Sequence, residues 1–387
     1  MIIIYKIKKR KMENFEFELI KQLNSENQKE NFVISPLGLE LVLSLCSNGA
    51  EGTTQKEIIN LLKYKNIEEV NNNAKEIMKK LSENKEIKLA MGILTKIHPK
   101  EKFKLKGKEY GANLEELKNY NNINKWVMTK TNDKIKKIIE NLSPDVVMVL
   151  LNAIYFEAFW KIKFDMNHTY NREFFNIDET KVYINLMFLR GTLLNYYEND
   201  DLKAVKLDYD IKDNSINAIV ILPKREDYLE ENINDLIKNM DNDLYQNIID
   251  NLNNDNSKTK VNFYLPKFEM EYNNNFNEIL KNLKMKKAFT KDAEFKGITD
   301  KYELFINQIL QKNYININEE GTQACTATEL EIMLESYLTK DETAKDFMAN
   351  RPFIFIIRNG KCPKGHDIIF FTKVCKFDKN IDEISMV

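Results

Sequence analysis

Glu319-Glu320-Gly321-Thr322-Gln323-Ala324-Cys325-Thr326-Ala327-Thr328 runs on into Glu329, Leu330, Glu331, Ile332, Met333 and Leu334, and the reading of this stretch decides the fold. Two carboxylates and a glycine open it, and small residues follow to Thr328. Side chains of a strand alternate between its faces. Counted from Thr322, one face carries Thr322, Ala324, Thr326, Thr328, Leu330 and Ile332, without a charge. The other carries Gln323, Cys325, Ala327, Glu329, Glu331 and Met333. One face is made to be buried and the other to be wet. The small residues at its start would let the segment enter a gap between existing strands at little steric cost. The pattern by itself equally fits an ordinary amphipathic strand.

Outward from this stretch, helical spacing dominates the first third of the chain and strands the rest. Helices are predicted over 13–28, 37–46, a segment capped by Thr53 or Thr54, 66–84, two short ones within 101–120, 123–139, 227–251 and 275–288. Strands are predicted over 87–96, 146–156, 181–190, 203–208, 216–222, 260–271, 303–318, 352–358 and 367–375. Helices early and strands late make an α+β chain and not a doubly wound βαβ series. No internal repeat stands out, and the apolar residues interleave throughout, so one domain is expected.

The composition narrows the function classes. The chain has 387 residues, 58 basic against 59 acidic, for a formal net charge of −1. Such a balance gives no reason to expect nucleic acid or an anionic membrane as partner. Hydrophobic residues make up 43% and charged residues 30%, enough for a large core. Cys46, Cys325, Cys362 and Cys375 show no CxxC spacing, so no metal site is expected. Cys46 reads as a buried thiol; Cys362 and Cys375 could bridge, with reduced thiols the prior for a chain of this size. The apolar Met1–Tyr5 precedes the basic cluster Lys6, Lys8, Lys9, Arg10 and Lys11, the reverse of a signal peptide. No window approaches 18 apolar residues. A cytoplasmic protein is therefore expected, with signal-independent secretion left open, and residues 1–12 read as an extension. For an enzyme, the three histidines, His98, His168 and His366, sit near no GxSxG elbow and no HExxH, and read as surface residues.

Glu319-Glu320-Gly321-Thr322 followed by small residues resembles the hinge of the reactive-centre loop of serpins. Arg351-Pro352-Phe353-Ile354-Phe355-Ile356-Ile357-Arg358 resembles the strand that follows that loop. Asn31-Phe32-Val33-Ile34-Ser35-Pro36, Gly49-Ala50-Glu51-Gly52-Thr53, Ile123-Asn124-Lys125-Trp126-Val127 with Thr131, Asn152-Ala153-Ile154-Tyr155-Phe156 with Trp160, and Leu265-Pro266-Lys267-Phe268 match in order and spacing. The resemblance covers about Phe15 to Lys376. It implies a serpin fold over 13–387, with about nine helices around three β-sheets. An exposed loop at about 319–350 would be able to insert into the central sheet.

The function implied is suicide inhibition of a serine protease as a covalent acyl complex, without cofactor, by a monomer. Non-inhibitory binding or chaperone activity and cross-class inhibition of cysteine proteases stay open. The hinge would be Glu319, Glu320, Gly321, Thr322, Ala324, Thr326 and Thr328. Glu319 would pair with Lys267, with Trp160 packed beside them. Of the family's network of two serines, an asparagine and a histidine at the sheet's opening point, Ser35 and Asn152 match. Gly38 stands where the second serine is expected and Gln311 where the histidine is. Phe370-Phe371-Thr372-Lys373-Val374 lacks the family's glycine. The reactive bond would be Glu335–Ser336 by the family's spacing. Because the segment to Pro352 is longer than usual, Tyr337, Leu338 and Lys340 remain alternatives: Glu335 would suit a protease preferring an acidic residue before the bond, Tyr337 or Leu338 a chymotrypsin-like enzyme with an apolar pocket, and Lys340 a trypsin-like one.

Overall fold

A computed structural model of the chain describes residues 14–117, 120–140, 143, 145–301, 303–322 and 340–378, except for the side chains of 115, 120, 122 and 255. The predicted hinge residues Ala324, Thr326 and Thr328, the predicted bond at Glu335, Ser336, Tyr337 or Leu338, and Cys325 lie outside the described residues.

The chain begins with α1 (Phe15–Glu26), capped by the Asn14 side chain, then β1 (Phe32–Ile34) and α2 (Pro36–Ser47). Ser35 caps α2 by accepting from the Gly38 N–H, and Pro36 at its first turn lacks the N–H that would otherwise be orphaned. Every residue of α2 is buried, so its apolar residues run all round and not along one stripe. α3 (Gly52–Leu61) and α4 (Ile67–Ser82) follow. Neither Thr53 nor Thr54 caps α3: Glu294 supplies the anion, its Oε2 accepting from the Thr53 N–H at 2.8 Å.

β2 (Ile87–Thr95), α5 (Glu101–Glu109) and β3 (Asn113–Glu116) come next. β3 is a strand where a second helix was expected, pairing parallel with the end of β2. α6 (Tyr120–Lys130) stops short of the predicted 139, because Asn132 and Asp133 adopt positive φ. Ile135, Ile138 and Ile139 nonetheless reach the same apolar cluster as Ile123 and Val127. The apolar spacing therefore recorded burial, not helix.

The strands continue with β4 (Met148–Phe156), β5 (Ala158–Phe159), β6 (Thr169–Phe175), β7 (Lys181–Glu198), β8 (Leu202–Asp208) and β9 (Ile216–Pro223). The predicted helix at 227–251 is two, α7 (Leu229–Asn239) and α8 (Asn242–Leu252), divided where Asp241 caps the second. The predicted strand 260–271 is also two. β10 (Lys258–Pro266) and β11 (Phe268–Asn275) part at Lys267 and enter different sheets. α9 (Asn277–Asn282), β12 (Gln308–Ile317), β13 (Gly321–Thr322), β14 (Lys345–Met348), β15 (Phe353–Asn359) and β16 (Ile368–Val374) complete the order, with nine α-helices among the described residues.

Two hydrogen-bonded networks result. One runs β1-β16-β15-β9-β8-β7-β10-β14, with β6 also on β7; a bulge between Val261 and Phe263 bends it. Beyond the bulge the second half of β10 pairs with the first half of β7, which carries β6, while β14 pairs with β10 across the bulge from Val261 to Tyr264. The other network is the central sheet, β3-β2-β4-β12 with β11 on the far edge of β12. Its faces are read off β4: Met148, Leu150, Ile154 and Phe156 join the main core, and Val149, Leu151 and Ala153 the smaller cluster under α6. The main core runs from Phe15 to Cys375.

Candidate functional site

β4 and β12 pair directly and in parallel, from Val149 with Gln308 to Ile154 with Asn313. Above that point they diverge. On its other side β12 stays paired with β11 as far as Ile317. The gap that opens is filled by β13: Thr322 pairs with Ile317 of β12, while Gly321 and Thr322 pair with Phe159 and Ala158 of β5. The first two residues after Glu320 thus already sit between the two strands. A side chain at Gly321 would put its Cβ 2.1 Å from the Ala158 carbonyl oxygen, so only glycine passes. Thr322 is buried, and its hydroxyl is 2.6 Å from the Tyr209 hydroxyl.

The turn that leads into this pair is held on both sides. Asn318 Oδ1 accepts from the Glu320 and Gly321 N–H groups. The Trp160 indole N–H donates to the Asn318 carbonyl at 2.9 Å, and the ring stacks on Tyr209 at 4.5 Å. Glu319 is 3% exposed. Lys267 Nζ lies 3.1 Å from Glu319 Oε2, and the Thr169 hydroxyl donates to Oε1 at 2.8 Å, so the buried carboxylate has both a counter-charge and a neutral donor. Glu320 pairs with Lys163 at the surface. Lys267 is placed by its backbone, whose N–H donates to the Asn185 carbonyl of β7 where the chain passes from one network to the other.

Lower down the same seam, the apolar alternation of both strands breaks on the core side. Leu150 and Ile154 flank Asn152; Ile309 and Ile315 flank Gln311 and Asn313. These amides are fully buried and join up. Gln311 Nε2 donates to Asn152 Oδ1 and to the Ser35 carbonyl, both at 2.8 Å. Its Oε1 accepts from the Ser35 N–H at 2.9 Å and from Asn313 Nδ2 at 2.9 Å. Ser35, Asn152 and Gln311 therefore meet, with Asn313 as a fourth member that also donates to the Val33 carbonyl. The same parity that marks Gln311 marks Asn313 two residues on, and was the signal available for it. Gly38 borders the network without joining it by a side chain. A Cβ there would lie 2.3 Å from Asn152 Oδ1 and 2.7 Å from Ile154 Cδ1. The glycine is what lets Asn152 lie where Gln311 reaches it.

On the far side of the loop, Lys340 is exposed, its Nζ 3.0 Å from Asp346 Oδ2. Cys46, Cys362 and Cys375 are free and buried, and burial raises all three thiols, Cys362 and Cys375 to about 12. His98 and His168 lie beside Glu116 and Asp165 at the surface, but His366 is not a surface residue. Its Nδ1 is 2.9 Å from Oε2 of Glu40, a carboxylate buried within α2 that needs the partner. Thr372, in the stretch that lacks the expected glycine, is buried with its hydroxyl unpartnered. Among the described residues no group of three or more His, Cys, Asp or Glu could hold a metal ion, and no helix is long and apolar enough to cross a membrane.

The family model for Serpin (serine protease inhibitor) matches residues 10–377. Serpin A3-8 of Bos taurus is 29% identical over 93% of this chain and 86% of its own length. Human alpha-1-antichymotrypsin is 29% identical over 92% and 85%. Among solved structures, Serpin48 of the insect Tenebrio molitor superposes with a TM-score of 0.78 at 28% identity, covering 94% of this chain and 96% of that one. The thermophilic serpin Tengpin in its native state gives 0.80 at 29%, covering 94% and 92%. A family match over nearly the whole length, on a sheet that parts where the Glu-Glu-Gly-Thr turn enters it, means that this chain belongs to the serpin family.

Proposed function

We propose that this chain is a suicide inhibitor of serine proteases, acting as a monomer through a covalent acyl complex. The observation that carries the reading is the central sheet: β4 and β12 are zipped directly to one another, yet already parted at the top around Gly321 and Thr322. A segment that continues in the parity of Thr322 would put Ala324, Thr326 and Thr328 on the inward face, none of them charged or bulky.

The chemistry follows from the protease's side. Its serine hydroxyl adds to the carbonyl carbon of the residue before the scissile bond, the peptide nitrogen leaves with a proton, and an ester joins loop to enzyme. The new C-terminus is free of its downstream partner. Insertion between β4 and β12 then exchanges their six residue pairings for pairings on both sides of the new strand and buries the inward face. The tethered enzyme is dragged with it, and deacylation stalls because water, ester and oxyanion hole leave register. On this reading Glu319 with Lys267, Thr169 and Trp160 is the anchor at the head of the gap. Ser35, Asn152, Gln311 and Asn313 are the catch that keeps it shut below.

The test is incubation with chymotrypsin-like, trypsin-like, elastase-like and acidic-specificity proteases, read by denaturing gel and intact mass. An adduct stable to denaturant, and a raised melting temperature after loop cleavage, are expected. Cleavage by every enzyme without adduct and without gain in heat resistance would leave the binding or chaperone role in its place.

A further inference from the structure

The C-terminal base of the loop is held by a clasp that sequence reading did not find. Asn262 sits in the bulge of β10 and is fully buried. Its side-chain amide uses its whole complement of four hydrogen bonds. Nδ2 donates to the Asp341 carbonyl at 2.8 Å and to Asp346 Oδ1 at 2.9 Å. Oδ1 accepts from the Asp341 N–H at 3.1 Å and the Gly191 N–H at 3.2 Å. Both backbone polar groups of Asp341 are thus tied to one side chain. Asp341 Oδ1 in turn accepts from the N–H and hydroxyl of Thr343, and the Ala344 N–H returns to the Asp341 carbonyl, closing a turn. Gly191, at φ +50°, leaves room for this: a Cβ there would lie 2.7 Å from Asp341 Oδ2. Lys345 to Met348 then pair with Val261 to Tyr264.

A protease reads its substrate as an extended strand on both sides of the scissile bond, pairing with its backbone N–H and C=O groups. At Lys340–Asp341 the residues beyond the bond are a closed turn whose backbone groups are taken by Asn262. Between Thr322 and Lys340 the sequence contains no lysine or arginine, and the next basic residue, Lys345, is already in β14. We infer that Asn262 is a specificity-determining residue: its clasp withholds Lys340 from proteases, and the target is therefore an enzyme that prefers an apolar or acidic residue before the scissile bond, not a trypsin-like one, whose acidic pocket takes lysine or arginine. This rests on the inhibitory reading for the nature of the target, but the clasp itself does not.

The experiment treats the full chain, Asn262→Ala and Lys340→Ala with trace trypsin-like protease under native conditions, and sequences the C-terminal fragment by mass. The unaltered chain should show neither adduct nor a fragment beginning at Asp341. Asn262→Ala should release that fragment about tenfold faster or more, from the loss of four hydrogen bonds, and Lys340→Ala should not release it at all. Equal release from the unaltered chain and Asn262→Ala, or a trypsin-like adduct whose released peptide begins at Asp341, overturns the inference. If Asn262→Ala fails to fold, hydrogen exchange of the unaltered chain decides. Protected Asp341 and Gly191 amides support the clasp, and exchange at the rate of open chain refutes it. Absence of adduct with every protease, with Lys340 still protected, would remove the inhibitory reading and leave the clasp standing.

Discussion

Replacing Gln311 with leucine should weaken the seam between β4 and β12 by about 2–4 kcal/mol. Leucine is close in volume, so the change removes polar atoms and leaves little cavity. Four hydrogen bonds disappear, but not all four partners are stranded. The Ser35 carbonyl keeps the Leu39 N–H, and Asn313 Nδ2 keeps the Val33 carbonyl. The Ser35 N–H and Asn152 Oδ1 lose the partner they have here, and Asn152 Nδ2 has none already. Two buried groups newly stranded cost about 1–3 kcal/mol each, partly offset by the apolar side chain that replaces the amide. For a chain of 387 residues that is a fall of roughly 2–5 °C in melting temperature. The assay is urea and thermal unfolding of the uncleaved protein by tryptophan fluorescence, since Trp160 lies at the head of the same gap and Trp126 packs by Gly92 on the sheet. A loss below about 1 kcal/mol would mean that the amides are satisfied some other way and that the network does not hold the strands together.

Three further outcomes are expected. Gly38→Ser, which puts in the serine that the resemblance led one to expect, should destabilise the protein by about 1–3 kcal/mol, because its Cβ collides with Asn152 and Ile154; a gain in unfolding midpoint would refute this. Tyr209→Phe keeps the stack on Trp160 but strands the buried Thr322 hydroxyl, at a cost of about 1–2 kcal/mol, with faster hydrogen exchange at Gly321 and Thr322 as its readout. Stability should fall as pH rises from 6.5 towards 8. Burial lowers the pKa of His366, but Glu40 outweighs burial and holds it above its ordinary 6.5. Its stabilising charge is thus fully present below 6.5 and is lost as pH climbs through the raised value. The ring stacks on Tyr64, and behind Glu40 lie Glu16, which burial and then Asp367 push well above the usual carboxylate range, and Arg358, paired with Asp367. Lys373, lowered by burial to about 8, works the other way only above that pH. His366→Gln should flatten the slope of unfolding midpoint between pH 6.5 and 8; an unchanged slope would assign it elsewhere.

Much of this was legible because burial writes itself into spacing. β2, β4, β9 and β15 carry apolar residues at every position or every second one, and their bounds fall within a residue or two of those expected. The Glu319–Lys267 contact was reached through resemblance, since nothing in the spacing of residues so far apart ties them together. β3 was missed because Asn-Leu-Glu-Glu has no alternation to read and is a strand only by pairing with β2. Tyr209 and Asn262 were missed for a related reason. Asn262 is one polar residue in an apolar run and Tyr209 one aromatic between two aspartates, and the partner of each, Asp341 or Thr322, comes from a distant stretch of chain. Lys267 hides a change of sheet inside what reads as one strand.

The network between β4 and β12 is built from a serine and three amides, with glutamine where the resemblance led one to expect histidine. None of these groups gains or loses a proton anywhere between mild acid and mild alkali. A sheet closed by imidazole has its grip loosened or tightened by an acidic compartment; one closed by amides does not notice the compartment at all. In this chain the network that joins β4 to β12 carries no titrating group, so the pH dependence expected from His366 is written into its contact with α2 beside the sheet and not into the seam itself.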